Sequence, residues 1–496
     1  MVARMQTSWI RRALILAMLA VSFSAGQASG AGCLSTDPMP TGGGHDHNDR
    51  AQHRFACGVS EVASLDLANI VPDPVYFGEL DVAGNRAAIT IAYPRGGFVL
   101  FDISDHPHPR ILSRFNGPPC DTVVRDYDCA ADVKLSPDGR YAFLAIQKSL
   151  ATAPGRTDKP ALPRETGVMS VDLTNPAAPR RVSFAPIGPR GTHMLAVHTI
   201  GGRDWLFAIH NKQGFYVFER KGPVLHRVAD VSTTGAHDFY VYDDPVDHKT
   251  YLYLAGETAG MFIYDVTDPT HPHRVGAWKP VSELADQLWY VHSVWTWRDS
   301  GRRYTLVDPE LSAPGRDHGS LPAPIWLLDT TDLTAIRVVG EWRNPGKHPA
   351  GNSRFSTHDF TVVDGVSWLA HYHGGVWLLD WRPVIRGQAT RPTEIGYFVP
   401  HSTDRPSVEV NPQQRFLSAF DVALRPSVWD VVTDGRFGFV SDISGGLVVI
   451  ERAVTPPVKG KDSKTWIIAI AIALLLAITW ISRRRALARR SLPESS

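Results

Sequence analysis

The sequence predicts an all-β fold, a seven-bladed β-propeller. Three observations predict it: seven strand-like runs of one shape, seven strand starts of another, and no long amphipathic helical pattern between them. The copies recur at roughly 40 to 70 residues, a spacing that suits a four-stranded blade.

The seven runs are GGFVLFDISDHPHP, GVMSVDLTNPAAP, GFYVFERKGP, GMFIYDVTDPTHP, PIWLLDTTDL, GVWLLDWRP and GLVVIERA. Most place glycine ahead of β-branched and aromatic residues and turn residues after them, which is strand chemistry. A second pattern precedes each run and marks the innermost strand of a blade. It reads Glu79-Leu80-Asp81-Val82, Ala131-Asp132-Val133, Thr192-His193-Met194-Leu195, Ala236-His237-Asp238-Phe239, Val291-His292-Ser293-Val294, Thr357-His358-Asp359-Phe360 and Trp429-Asp430-Val431. SPDGR at 136–140 and TDGRFGFVSD at 433–442 read as hairpins joining first and second strands. No fourth strand remains after Val454, and residues 59–67 are expected to supply it and close the ring.

The two ends set the expected compartment. Arg4, Arg11 and Arg12 precede an apolar run from Ala13 to Phe23 and then small residues, so residues 1–32 read as a secretory signal peptide. Residues 33–58 follow as a flexible segment, the propeller occupies 59–453 and a linker covers 454–465. Residues 466–482 contain WIIAIAIALLLAITWI, an apolar run with a Trp near each end, expected to span a membrane. The arginines at 483–485, 489 and 490 would hold the tail, 483–496, in the cytoplasm. The expected location is therefore a single-pass cell-membrane protein with its folded part in the periplasm or outside the cell.

A formal net charge of +1 gives no reason to expect nucleic acid as a partner. Four cysteines ahead of the apolar run suit an oxidising compartment. Cys120 and Cys129 share one loop and Cys33 and Cys57 would be the other pair. Three connectivities exist, and lipidation of Cys33 would remove a bridge.

The pattern Gly-apolar-apolar-apolar-Asp-x-[Ser/Thr]-x-Pro resembles the LVIVD-repeat propellers, exported bacterial proteins often tethered to the envelope. The resemblance is clearest at 97–109, 167–179 and 260–272, weaker at 214–223 and 325–333, and spans most of the mature chain. It implies the propeller fold and envelope tethering, and it assigns no activity.

Chemistry concentrates in the 20 histidines. His45 and His47 fall in a polar tail, and HPHP at 106–109 and THPH at 270–273 are turns. His193, His237, His292 and His358 occupy one position in four consecutive blades, at the start of the innermost strand. The ends of the second strands, expected on the same face, carry His210, Glu257, Glu310, His371, His373 and Asp442. The first four histidines are expected to hold a transition metal, with His210, Glu257, Asp359, His371 and His373 orienting them or meeting substrate. Imidazole-rich ligation suits iron, copper or zinc. Asp81, Asp132, Asp238, Asp359 and Asp430 recur with and without histidine, and read as structural. In layout alone the array is similar to the histidine-lined channels of carotenoid cleavage oxygenases and selenium-binding (methanethiol oxidase) propellers.

No H-E-x-x-H, Walker loop, G-x-S-x-G elbow or EF-hand loop occurs. Two functions stay open: a metal-dependent oxidoreductase, or a non-catalytic envelope scaffold binding a protein, glycan or small ligand.

Overall fold

A computed structural model describes residues 56–67, 77–91, 95–119, 130–147, 165–210, 213–280, 291–310, 324–344, 356–372, 374–400, 427–443 and 445–453. The chain enters through β1 (Ala56–Cys57) and β2 (Val59–Asp66). Blade 1 follows as β3 (Phe77–Ala83), β4 (Arg86–Ile91), β5 (Arg95–Asp102) and β6 (Arg110–Pro119). Blade 2 is β7 (Ala130–Leu135), β8 (Tyr141–Ile146), β9 (Gly167–Asp172) and β10 (Arg180–Pro186). Blade 3 is β11 (Leu195–Ile200), β12 (Arg203–Ile209), β13 (Gly214–Lys221) and β14 (Val224–Ser232). Blade 4 is β15 (Asp238–Asp244), β16 (Lys249–Ala255), β17 (Met261–Asp265) and β18 (His273–Trp278). Blade 5 is β19 (Val291–Asp299), β20 (Arg302–Pro309), β21 (Ile325–Asp329) and β22 (Arg337–Trp342). Blade 6 is β23 (Phe360–Val363), β24 (Val366–Ala370), β25 (Val376–Asp380) and β26 (Thr393–Phe398), with the short helix α1 (Arg382–Ile385) before its last strand. Blade 7 is β27 (Val428–Thr433), β28 (Phe437–Asp442) and β29 (Gly446–Arg452). Each blade is an antiparallel meander, so the described residues form the expected seven blades.

The third-strand motif explains itself once paired. Side chains alternate across a strand, and in β5 Val99 and Phe101 pack toward blade 7 while Phe98 and Leu100 pack toward blade 2. Both faces are buried, which is why the sequence is a continuous apolar run instead of an alternating one. Seven apolar clusters result, one between each pair of neighbouring blades. Fully burying each large side chain there contributes about 1.5–3 kcal/mol.

The motif's aspartate ends the strand. Asp102 accepts the Ser104 N–H at 2.9 Å, Asp172 that of Thr174 at 2.8 Å and Asp265 that of Thr267 at 3.0 Å. These are Asx turns, in which a side chain replaces the next backbone acceptor. The motif's glycine is fixed by close approach: at Gly260, with φ of +97°, a Cβ would lie 2.3 Å from the Trp278 carbonyl oxygen of the fourth strand.

Closure follows the expected route. β2 pairs antiparallel with β29, from Val59 opposite Arg452 to Asp66 opposite Gly446. β1, which the sequence leaves in the segment ahead of the propeller, pairs with β26 as a fifth strand of blade 6. One short stretch therefore ties two blades together.

Among the described residues no helix is long and apolar enough to cross a membrane. The apolar run at 466–482, the leader, Cys33, Cys120, Cys129 and His373 lie outside the described residues. Cys57 is not a free thiol.

Candidate functional site in the central channel

Innermost strands of a propeller converge on its axis, so equivalent positions in adjacent blades meet. His193, His237, His292 and His358 do so as a row. Ring centroids are 4.7 Å apart from His193 to His237, 4.2 Å from His237 to His292 and 4.4 Å from His292 to His358. Trp429 of blade 7 continues the row 4.0 Å beyond His358. His237, His292 and His358 are buried and His193 is half-buried. A row stepping from blade to blade does not gather all four rings around one point, as the sequence reading expects. It divides them.

Two groups place ligand atoms within 4.8 Å of one another: His237 with His292 and Glu310, and His358 with Glu79 and Asp359. In the first, Glu310 leaves the end of β20 and its Oε2 lies 3.6 Å from His292 Nε2. The Tyr372 hydroxyl donates to Glu310 Oε1 at 2.5 Å. Tyr372 holds a φ of +35°, a costly backbone state for a bulky residue, at the point where blade 6 bridges to Val428 of blade 7. His292 Nδ1 meets the Ser293 hydroxyl at 2.8 Å, which fixes that ring's rotation. In the second group, Trp429 Nε1 donates to Glu79 Oε1 at 2.8 Å and His358 Nδ1 lies 2.9 Å from the Trp429 carbonyl oxygen. His193 Nδ1 instead meets Gln147 Oε1 of blade 2 at 3.0 Å.

Further along the inner strands lies a cavity of about 300 Å³, lined by Asp81, Lys134, Asp238, Asp359 and Asp430 among apolar residues. Three aspartates of this layer stitch blades together. Asp430 accepts the Leu80 N–H at 2.9 Å, Asp81 that of Leu135 at 2.7 Å and Asp132 that of Leu195 at 2.7 Å. Each bond reaches the inner strand of the next blade, the structural role read from their recurrence. Lys134 pairs with Asp132 at 3.0 Å.

Burial raises the carboxyls here. Asp238 is pushed up to about 7 and Asp430 to about 6, in both cases mainly by desolvation, against the pull of Lys134. Glu79 and Asp359 are held well above the usual range by burial and then by neighbouring carboxylates. Burial opposes the charge on Lys134, yet Asp132, Asp81, Glu79 and Asp430 outweigh it and raise the ammonium pKa.

The remaining described candidates lie outside both groups. His210 stacks on Tyr216 at 4.4 Å, and Glu257 exchanges backbone hydrogen bonds of 3.1 Å with Val291. His371 is buried 6.2 Å from Trp342, outside both groups. Asp442 accepts the Ser427 and Gly445 N–H groups at 2.7 and 2.8 Å. Glu79 is the residue that sequence reasoning passes over. Its one signal is its place in the inner-strand pattern of blade 1.

Fold and channel together define a seven-bladed β-propeller with imidazoles and carboxylates on its axis. The LVIVD repeat family matches residues 249–279, the second to fourth strands of blade 4. The chain is thus a β-propeller that carries an LVIVD repeat. It is similar to the crystal structure of Saccharomyces cerevisiae Sqt1, with a TM-score of 0.44 at 9% identity, over 80% of this chain and 98% of that one. It is also similar to a protein from Lactobacillus plantarum, with a TM-score of 0.42 at 13% identity, over 65% and 87% of the two chains. No curated protein matches the chain.

Proposed function

We propose that this protein is a membrane-anchored, extracytoplasmic propeller that holds a transition metal through His237, His292 and Glu310. The observation that carries the reading is the approach of two buried imidazoles and one buried carboxylate to within 4.8 Å of one another. Such a set suits iron, zinc or copper, and two histidines with one carboxylate is the donor set of many non-haem iron sites. Three protein ligands leave coordination positions open, which a metal-dependent oxidoreductase requires. Tyr372 orients Glu310 and Ser293 orients His292, the support that ligating side chains need.

The leader-like residues 1–32, the apolar run at 466–482 and the arginines after it support export and anchoring with a cytoplasmic tail. The same compartment suits disulfides at Cys57 and between Cys120 and Cys129. A scaffold that binds an envelope protein or small ligand is the second reading. It is favoured by His193 and His358, whose Nδ1 atoms tie neighbouring blades together.

Metal content of the purified full-length protein separates the two. After growth with iron, copper and zinc, the wild type should carry metal, and His237→Ala or Glu310→Gln should each remove one equivalent per chain. Equal content in all three, or none in the wild type, would leave the histidines as scaffold and favour the binding reading.

A further inference from the structure

We propose a second transition-metal site, formed by Glu79, His358 and Asp359 and reached through the axial cavity. It joins blades 1 and 6 across Trp429 of blade 7, and it stands on its own ligands beside the first centre.

Each ligand is oriented by a hydrogen bond. Glu79 is 3% exposed, and Trp429 holds its Oε1. Its Oε2 is buried and has no hydrogen-bond partner among the described residues. An unmet buried carboxylate oxygen is costly, and a cation is the partner that relieves it most fully. His358 Nδ1 faces a carbonyl oxygen, which can only accept, so this nitrogen carries the proton and the ring's rotation is set. Asp359 gives Oδ1 to the Phe360 N–H at 3.0 Å, and Oδ2 stays available.

Distance and charge agree with this. Three atoms sharing one ion at about 2.0–2.2 Å lie about 3.3–3.8 Å apart. The ligand atoms here lie within 4.8 Å of one another, so side-chain adjustment of up to about 1–1.5 Å brings them to an ion. Glu79, Asp359 and Asp430 lie together, while Lys134, the cation of this layer, is engaged by Asp132. A divalent ion offsets the remaining negative charge. Asp359 also lines the cavity of about 300 Å³, which supplies a path for a partly hydrated ion. One imidazole with two carboxylates is a harder donor set than the first centre and favours manganese, iron or zinc over copper(I).

The test titrates metal-stripped full-length protein with Co²⁺ and counts equivalents bound per chain after desalting. The wild type is expected to bind two. Glu79→Gln, which keeps the acceptor for Trp429, and Asp359→Asn, which keeps the acceptor for Phe360, should each bind one at unchanged melting temperature. His292→Ala should also bind one, and the Glu79→Gln/His292→Ala double variant none. One equivalent in the wild type, lost with His292→Ala and kept in Glu79→Gln and Asp359→Asn, would overturn the second site and leave the first standing. One equivalent lost only in Glu79→Gln and Asp359→Asn would support the second site and remove the first. Two equivalents retained in both Glu79→Gln and Asp359→Asn, or none in the wild type, would overturn this proposal.

Discussion

At the scale of single residues, Asp132 shows how a repeated side chain holds the ring together. It is wholly buried, accepts the Leu195 N–H of the next blade and balances Lys134. Removing one member of a buried pair leaves an uncompensated charge, a cost of about 3–5 kcal/mol. Asp132→Ala should therefore lower unfolding free energy in urea by about that much, and Asp132→Asn by less, since it keeps an acceptor for Leu195. A loss below about 1 kcal/mol for Asp132→Ala would contradict this role. The aspartate was legible in the sequence because it recurs at one register in five blades. Its partner was not, because nothing in the pattern around Lys134 distinguishes an axial lysine from a solvated one. Glu79 was hidden for a related reason: strand register marks where a residue stands, and the blade it meets depends on ring geometry.

At the scale of elements, the strands whose causes are local were the readable ones. The third strands of blades 1, 2, 4 and 6 carry their own start and stop, a glycine under the fourth-strand carbonyl and an aspartate that caps the following turn. β2 was legible by subtraction, since the last blade lacked a strand. β1 spans only two residues, too few to show a period, and is defined by its partner β26. Deleting residues 56–66 would expose the edges of both β29 and β26 and remove Val59 from the core between blades 6 and 7. Unpaired edges of this kind also promote association. The shortened protein should melt lower by roughly 10 °C or more and aggregate on heating. Melting within about 2 °C of the parent would show that the ring does not depend on this closure.

For the whole molecule, surface and axis pull stability in opposite directions as pH changes. Asp102 is lowered to about 2 by its bonds to Ser104 and then Arg110, and Asp268 to about 2 chiefly by Thr270. Groups depressed in the folded state stabilise it above the ordinary carboxylate range, and that contribution is lost as pH falls toward 2. Asp430 and Asp238, raised to about 6 and about 7, act the other way. Their contribution is complete below about pH 4 and is lost as pH rises through 6 to 7. Metal-free protein should thus be most stable near pH 5 and melt a few degrees lower at pH 8, a trend that calorimetry at fixed ionic strength would read. A melting temperature that rises steadily from pH 5 to pH 8 would mean the axial carboxyls are ionised throughout. The propeller itself was plain from repeats, whereas the division of the histidine row into two groups required the blade-to-blade step of 4.2–4.7 Å. The most direct test of the metal centre is X-ray absorption at the edge of the metal that copurifies with the protein. The expected spectrum has a nitrogen and oxygen shell at about 2.0–2.2 Å with imidazole outer-shell scattering that falls in His292→Ala. A sulfur shell at about 2.3 Å, or a spectrum unchanged by that substitution, would contradict it.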